Sequence, residues 1–198
     1  MDEFSDQISP ESIVFVGDSV TAGGRWQEWF PGFDVHVEAD PGDTTDRLTE
    51  RLPSIVELQP ATITVLIGAN DFGQNRSVEY VVRSIEYFLA IVRQEVPDCR
   101  MLVQSIMPRG REFSGDIQDA NRHLRQYARN VHAQYLDLWP AMALDDGELS
   151  PEFTNDRLHL TEAGYKAWLS ELEPALERLR EAPPMSRPIS IIRDAHAS

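Results

Sequence analysis

Ser12-Ile13-Val14-Phe15-Val16-Gly17-Asp18-Ser19-Val20 is an apolar, β-branched run that breaks abruptly into Gly, Asp and Ser. The run reads as a buried strand over 12–16 and the break as the turn at its carboxyl end. Open α/β sheets bind ligands at that end of their strands, so Ser19 stands where a nucleophile would be useful. Gly, Asp and Ser are also common turn residues, and the tetrapeptide Gly17-Asp18-Ser19-Val20 therefore needs support from the rest of the chain.

Outward from this point, similar runs recur at 33–37, 62–67, 100–105 and 134–138, which read as four further strands. Between them lie helical candidates at 47–58, 78–96 and 116–131, and another at 161–180 follows the last strand. In the second of these, Val78, Val81, Val82, Ile85, Phe88, Leu89 and Val92 recur at spacings of three and four, which makes one face apolar. Pro97 ends that helix, and Thr161 caps the last one ahead of Glu162 in its first turn. Such alternation predicts a single three-layer α/β/α domain over 1–182, built on a five-stranded parallel sheet with right-handed crossovers. Placed in the flavodoxin-like order 2-1-3-4-5, the loops after several strands meet at one sheet edge.

The 198 residues include 33 acidic and 18 basic ones, for a formal net charge of −15, which repels nucleic acid and anionic lipid. One cysteine excludes a disulfide framework, and no apolar run approaches the ~20 residues of a membrane span. The first ten residues are acidic and polar, unlike a signal peptide, so the expectation is a cytoplasmic protein without membrane insertion. From Ala182-Pro183-Pro184 the composition changes, and 183–198 reads as a tail, either flexible or docked on a second subunit through Ile189, Ile191 and Ile192. The second alternative would make a homo-oligomer.

A serine hydroxyl is a poor nucleophile until a base takes its proton, and the base needs a carboxylate to orient it. Asp156-Arg157-Leu158-His159 offers both within one turn, the Asp156 carboxylate reaching one imidazole nitrogen and the other nitrogen facing Ser19. His36, His123, His132 and His196 fall on elements or in the tail and read as structural or solvated. No zinc-ligand spacing occurs, so no metal is expected, and no cofactor either. Donors for a developing oxyanion are available in Asp40-Pro41-Gly42-Asp43, through the Gly42 N–H, and in Gly68-Ala69-Asn70-Asp71, through the Asn70 amide. On the predicted sheet all five positions converge.

These blocks, running from Gly17 to His159, resemble the SGNH, or GDSL-type, hydrolase family. Gly42-Asp43-Thr44-Thr45, His159-Leu160-Thr161 and Gly164-Tyr165 extend the resemblance. It implies Ser19 as nucleophile, Asp156 and His159 as acid and base, and an oxyanion hole from the Ser19 and Gly42 N–H groups and Asn70. Where many relatives carry Asn and small residues before the block-two glycine, this chain has Val37-Glu38-Ala39-Asp40-Pro41, which bears on substrate preference. The implied activity is hydrolysis of carboxylic esters through an acyl-enzyme. Without a long apolar lid, short acyl esters of small molecules or sugars, acetyl above all, are the expected substrates. Thioesterase or lysophospholipase chemistry and a non-catalytic binding module are the alternatives. A flavin or nucleotide protein of this architecture lacks its Gly-x-Gly-x-x-Gly or phosphate loop here. Near the motif loops, Asp18, Trp26, Asp71, Phe72 and Arg109 are candidates for substrate contact, with Trp29, Phe30 and Arg111 beside them.

Overall fold

A computed structural model describes residues 11–182, so the first ten residues and the expected tail lie outside it. In chain order its elements are β1 (Glu11–Gly17), α1 (Ser19–Ala22), α2 (Trp26–Trp29), β2 (Phe33–Ala39), α3 (Asp46–Leu58), β3 (Thr62–Leu66), α4 (Ala69–Gly73) and α5 (Val78–Glu95). They continue with β4 (Arg100–Gln104), α6 (Ser114–Asn130), β5 (Gln134–Leu136), α7 (Trp139–Met142) and α8 (Glu162–Glu181). The five strands pair in parallel in the order β2-β1-β3-β4-β5, the order that the sequence predicts.

Alternation along β1 decides the layers. Val14 and Val16 pack into one core with Leu48, Leu52 and Ile55 of α3, Val81, Ile85 and Phe88 of α5, and Ile117 and Leu124 of α6. Ile13 and Phe15 point the other way, toward Trp168, Leu172 and Leu176 of α8 and toward Val20, Trp26 and Met142 of the short helices. Buried on both faces, β1 must be apolar throughout, and a polar residue at any of these four positions would lack a partner. The helix ends follow their signals: the Ser77 side chain accepts the Tyr80 N–H at 3.2 Å, and Thr161 accepts the Gly164 N–H at 3.3 Å.

Register sets the site. Gly17 pairs with Ala39 of β2 and with Leu66 of β3, so three strands end level and their following loops leave the same edge side by side. The structure departs from the sequence reading in the loops. α1, α2, α4, α7 and a 3-10 turn at Arg111–Phe113 are four- or five-residue pieces, or shorter, that give no periodicity to detect. β5 stops at Leu136, two residues early, because Asp137 turns the chain by accepting the Trp139 N–H at 3.1 Å.

Candidate active site

Ser19 is held by its neighbours on both sides. A Cβ at Gly17 would lie 2.0 Å from the Thr21 hydroxyl and 2.6 Å from the Leu66 carbonyl oxygen, so only glycine allows β1 to run this close to the turn. Asp18, in extended conformation, caps α1 by accepting the Val20 N–H at 3.0 Å. The Tyr165 hydroxyl donates to the Val20 carbonyl at 2.7 Å and fixes α1 from the α8 side. Ser19 is then the first residue of α1, half-buried at the sheet edge.

His159 reaches it from the loop before α8. A Thr154–Leu160 bridge pinches this loop, and Arg157, at φ +64°, turns the chain between the acid and the imidazole. Asp156 Oδ1 accepts the Leu158 and His159 N–H groups at 3.0 and 2.8 Å, while Oδ2 lies 2.7 Å from His159 Nδ1. Its hydrogen bonds to the His159 ring and to the backbone hold the Asp156 carboxyl well below the usual carboxylate range. With the Nδ1 proton engaged by Asp156, Nε2 is left as an acceptor, and it lies 3.1 Å from Ser19 Oγ. The three residues singled out in the sequence thus form one hydrogen-bonded chain.

Gly42 is exposed at φ +84°, in a turn closed by the Asp43 N–H on the Asp40 carbonyl at 3.2 Å, with open space where a side chain would stand. Asn70 is the second residue of α4, and its amide nitrogen donates one hydrogen to the Asp43 carbonyl at 2.9 Å, which leaves the second for a ligand. Both loops leave the sheet beside Ser19.

The expected substrate contacts are corrected by burial. Trp26 is 1% exposed, donates its indole N–H to the Thr21 carbonyl at 2.7 Å and stacks on Phe15 at 4.2 Å between centroids, so it is core. Phe72, Asp18 and Asp71 are also buried, and Asp71 is spent on Thr45 and Arg76. All four lie in or beside the motifs in sequence, but they cap or line the inward sides of one-turn elements that show no pattern. Arg109 is half-buried, donates from Nη1 to the Ala69 carbonyl at 2.6 Å and lies 4.3 Å over the Phe113 ring, bracing α4. Sequence reasoning missed Thr45, Arg51 and Tyr165 as supports. Thr45 and Tyr165 fall inside the quoted motif stretches, but nothing in the sequence shows what they bind.

Burial pushes the Asp18 carboxyl up to about 6, with His159 and the Val20 N–H pulling it down only partly. An acid whose folded pKa lies above its ordinary 3.8 contributes stability below that value and loses it as pH rises to about 6. The displacement corresponds to about 3 kcal/mol. Asp18→Asn keeps the cap acceptor without the charge, so it should raise stability at pH 7.5 by up to that amount. In urea unfolding the gain should shrink toward zero by pH 4; a gain independent of pH would contradict the assignment.

Fold and site together define a doubly wound α/β domain with a serine–histidine–aspartate chain at the carboxyl edge of its sheet. The sequence model of the GDSL-like lipase/acylhydrolase family matches residues 15–167, and the chain belongs to that family. It is 27% identical over 186 residues to platelet-activating factor acetylhydrolase IB subunit alpha1 of Bos taurus, an alignment covering 88% of this chain and 78% of the relative. Among solved structures, a GDSL-like lipase from Bacteroides thetaiotaomicron superposes with a TM-score of 0.75 at 21% identity, covering 85% of this chain and 89% of that one. An acetyl-xylooligosaccharide esterase from Geobacillus superposes at 0.68 with 17% identity, covering 90% and 98%. No helix among the described residues is long and apolar enough to cross a membrane.

Proposed function

We propose that this protein is a serine esterase that cleaves short acyl esters, acetyl above all, of small molecules or sugars through an acyl-enzyme on Ser19. The observation that carries this reading is the unbroken chain Ser19 Oγ, His159 Nε2, His159 Nδ1, Asp156 Oδ2, with links of 3.1 and 2.7 Å between the residues. Ser19 Oγ attacks the ester carbonyl carbon while His159 Nε2 takes its proton, and Asp156 stabilises the imidazolium. The carbonyl oxygen, now negative, rests against the Ser19 and Gly42 N–H groups and the free Asn70 amide hydrogen. His159 returns the proton to the departing alcohol. Water, deprotonated by the same imidazole, then attacks the acyl carbon and frees Ser19.

Support for a short acyl group comes from the core positions of Trp26 and Phe72, which remove two large apolar side chains from any acyl groove. Two similar proteins, an acetylhydrolase and an acetyl-xylooligosaccharide esterase, point the same way. We take the substrate to be a free small molecule met in the cytoplasm, in keeping with a net charge of −15 that disfavours nucleic acid and anionic membranes. No cofactor enters this mechanism.

Hydrolysis of chromogenic esters from acetyl to palmitoyl tests the reading. Turnover should be highest on acetyl and fall as the chain lengthens. A maximum on long chains would overturn the short-acyl assignment, and cleavage of acyl thioesters without any oxygen ester would replace the ester with a thioester as substrate.

A further inference from the structure

The two oxyanion donors outside Ser19 come from loops that the sheet cannot tie together. Gly42 follows β2 and Asn70 follows β3, and β1 lies between those strands, so no ladder hydrogen bond fixes one loop against the other. Their separation nevertheless has to suit one oxygen atom, because donors act at about 2.7–3.1 Å, and misplacement by about 1 Å can cost about 10²-fold in rate. Side chains have to set that separation.

Asp71 and Thr45 are placed to do so. Asp71 Oδ1 accepts the Thr45 hydroxyl at 2.7 Å and Arg76 Nη1 at 3.2 Å, and Oδ2 accepts the Thr45 N–H at 3.0 Å. Both residues are fully buried. Asp71 adjoins Asn70 in α4, and Thr45 lies three residues beyond Gly42, so short stretches of chain connect this contact to both donors. A second tie runs parallel to it, from the Asn70 amide to the Asp43 carbonyl at 2.9 Å. The turn itself is stiffened by Asp43, whose Oδ2 accepts the Asp40 N–H at 2.9 Å and also binds the Arg51 guanidinium.

Stability alone does not explain a carboxylate at this position. Burying a charge is costly, and an apolar pair of similar volume often stabilises a fold as well or better. A carboxylate differs in being an acceptor on both oxygens, so it can take the hydroxyl and the backbone N–H of one threonine at once and fix its orientation. We propose that Asp71 and Thr45 form a latch that sets the spacing of the Gly42 and Asn70 oxyanion donors, acting as positioning residues for acyl transfer. The proposal rests on the serine esterase reading above.

A double-mutant cycle on 4-nitrophenyl acetate tests it, with Ser19→Ala as the baseline rate. Thr45→Val removes the hydroxyl while keeping the backbone N–H and the shape; it should lower kcat about 10- to 100-fold with little change in KM. Thr45→Ser, which keeps the hydroxyl, should recover most of the loss. In an Asn70→Ala background, where one positioned donor is already gone, Thr45→Val should cost far less than it does alone. Equal losses in both backgrounds, a loss confined to KM, or no rescue by serine would each overturn the latch. If Ser19→Ala keeps wild-type activity, the esterase reading falls and the latch with it; if Ser19→Ala is inactive and the losses are additive, only the latch falls.

Discussion

Ser19→Ala and His159→Ala should each lower kcat on a short ester by roughly 10⁶-fold, and the double substitution should be hardly worse than either alone. The two side chains act as a unit: Nε2, 3.1 Å from Oγ, is useful only if there is a hydroxyl to deprotonate, and the hydroxyl is inert without the base. What survives should be the contribution of the oxyanion donors and substrate binding, which neither change touches. Stability should hardly respond, since His159 is exposed and Ser19 half-buried, and neither packs in the core. Steady-state kinetics beside urea unfolding curves check both halves. Losses that simply multiply in the double variant would mean that the two residues work independently.

Asp156→Asn should lower kcat by about 10⁴-fold while leaving KM nearly unchanged. The carboxylate accepts from His159 Nδ1 at 2.7 Å, and it also takes the Leu158 and His159 N–H groups on its other oxygen. An asparagine can keep the backbone bonds through its carbonyl oxygen and thereby turns its amide N–H groups toward Nδ1. The ring then has to accept there and carries its proton on Nε2, where it cannot deprotonate Ser19. The geometry survives and the tautomer is wrong. A variant with unaltered kcat would show that the imidazole is oriented by something other than Asp156.

The sheet was legible because β1, β3 and β4 are largely buried on both faces and read as runs rich in apolar and β-branched residues, and because α5 repeats its apolar face along its length. Ser19, Asp156 and His159 were legible because each belongs to a short motif with a chemical requirement for its neighbours. The roles of Asp18, Trp26, Asp71 and Phe72 were not. Each lies in or beside a motif, and sequence proximity suggested contact with substrate, but a single helical turn decides which side chains face inward and leaves no periodic trace. Thr45 shows the same limit from the other side. Its partner Asp71 is 26 residues away, across a strand that neither residue belongs to, and no local spacing reveals such a pair.

Covalent acylation of Ser19 is read by labelling with a fluorophosphonate, followed by mass mapping of the peptides. One adduct per chain is expected, on the peptide that carries Ser19, formed slowly or not at all when His159 is replaced by Ala and absent when Ser19 is. An adduct on another residue, or rapid ester hydrolysis by a chain that Ser19→Ala leaves fully active, would contradict it.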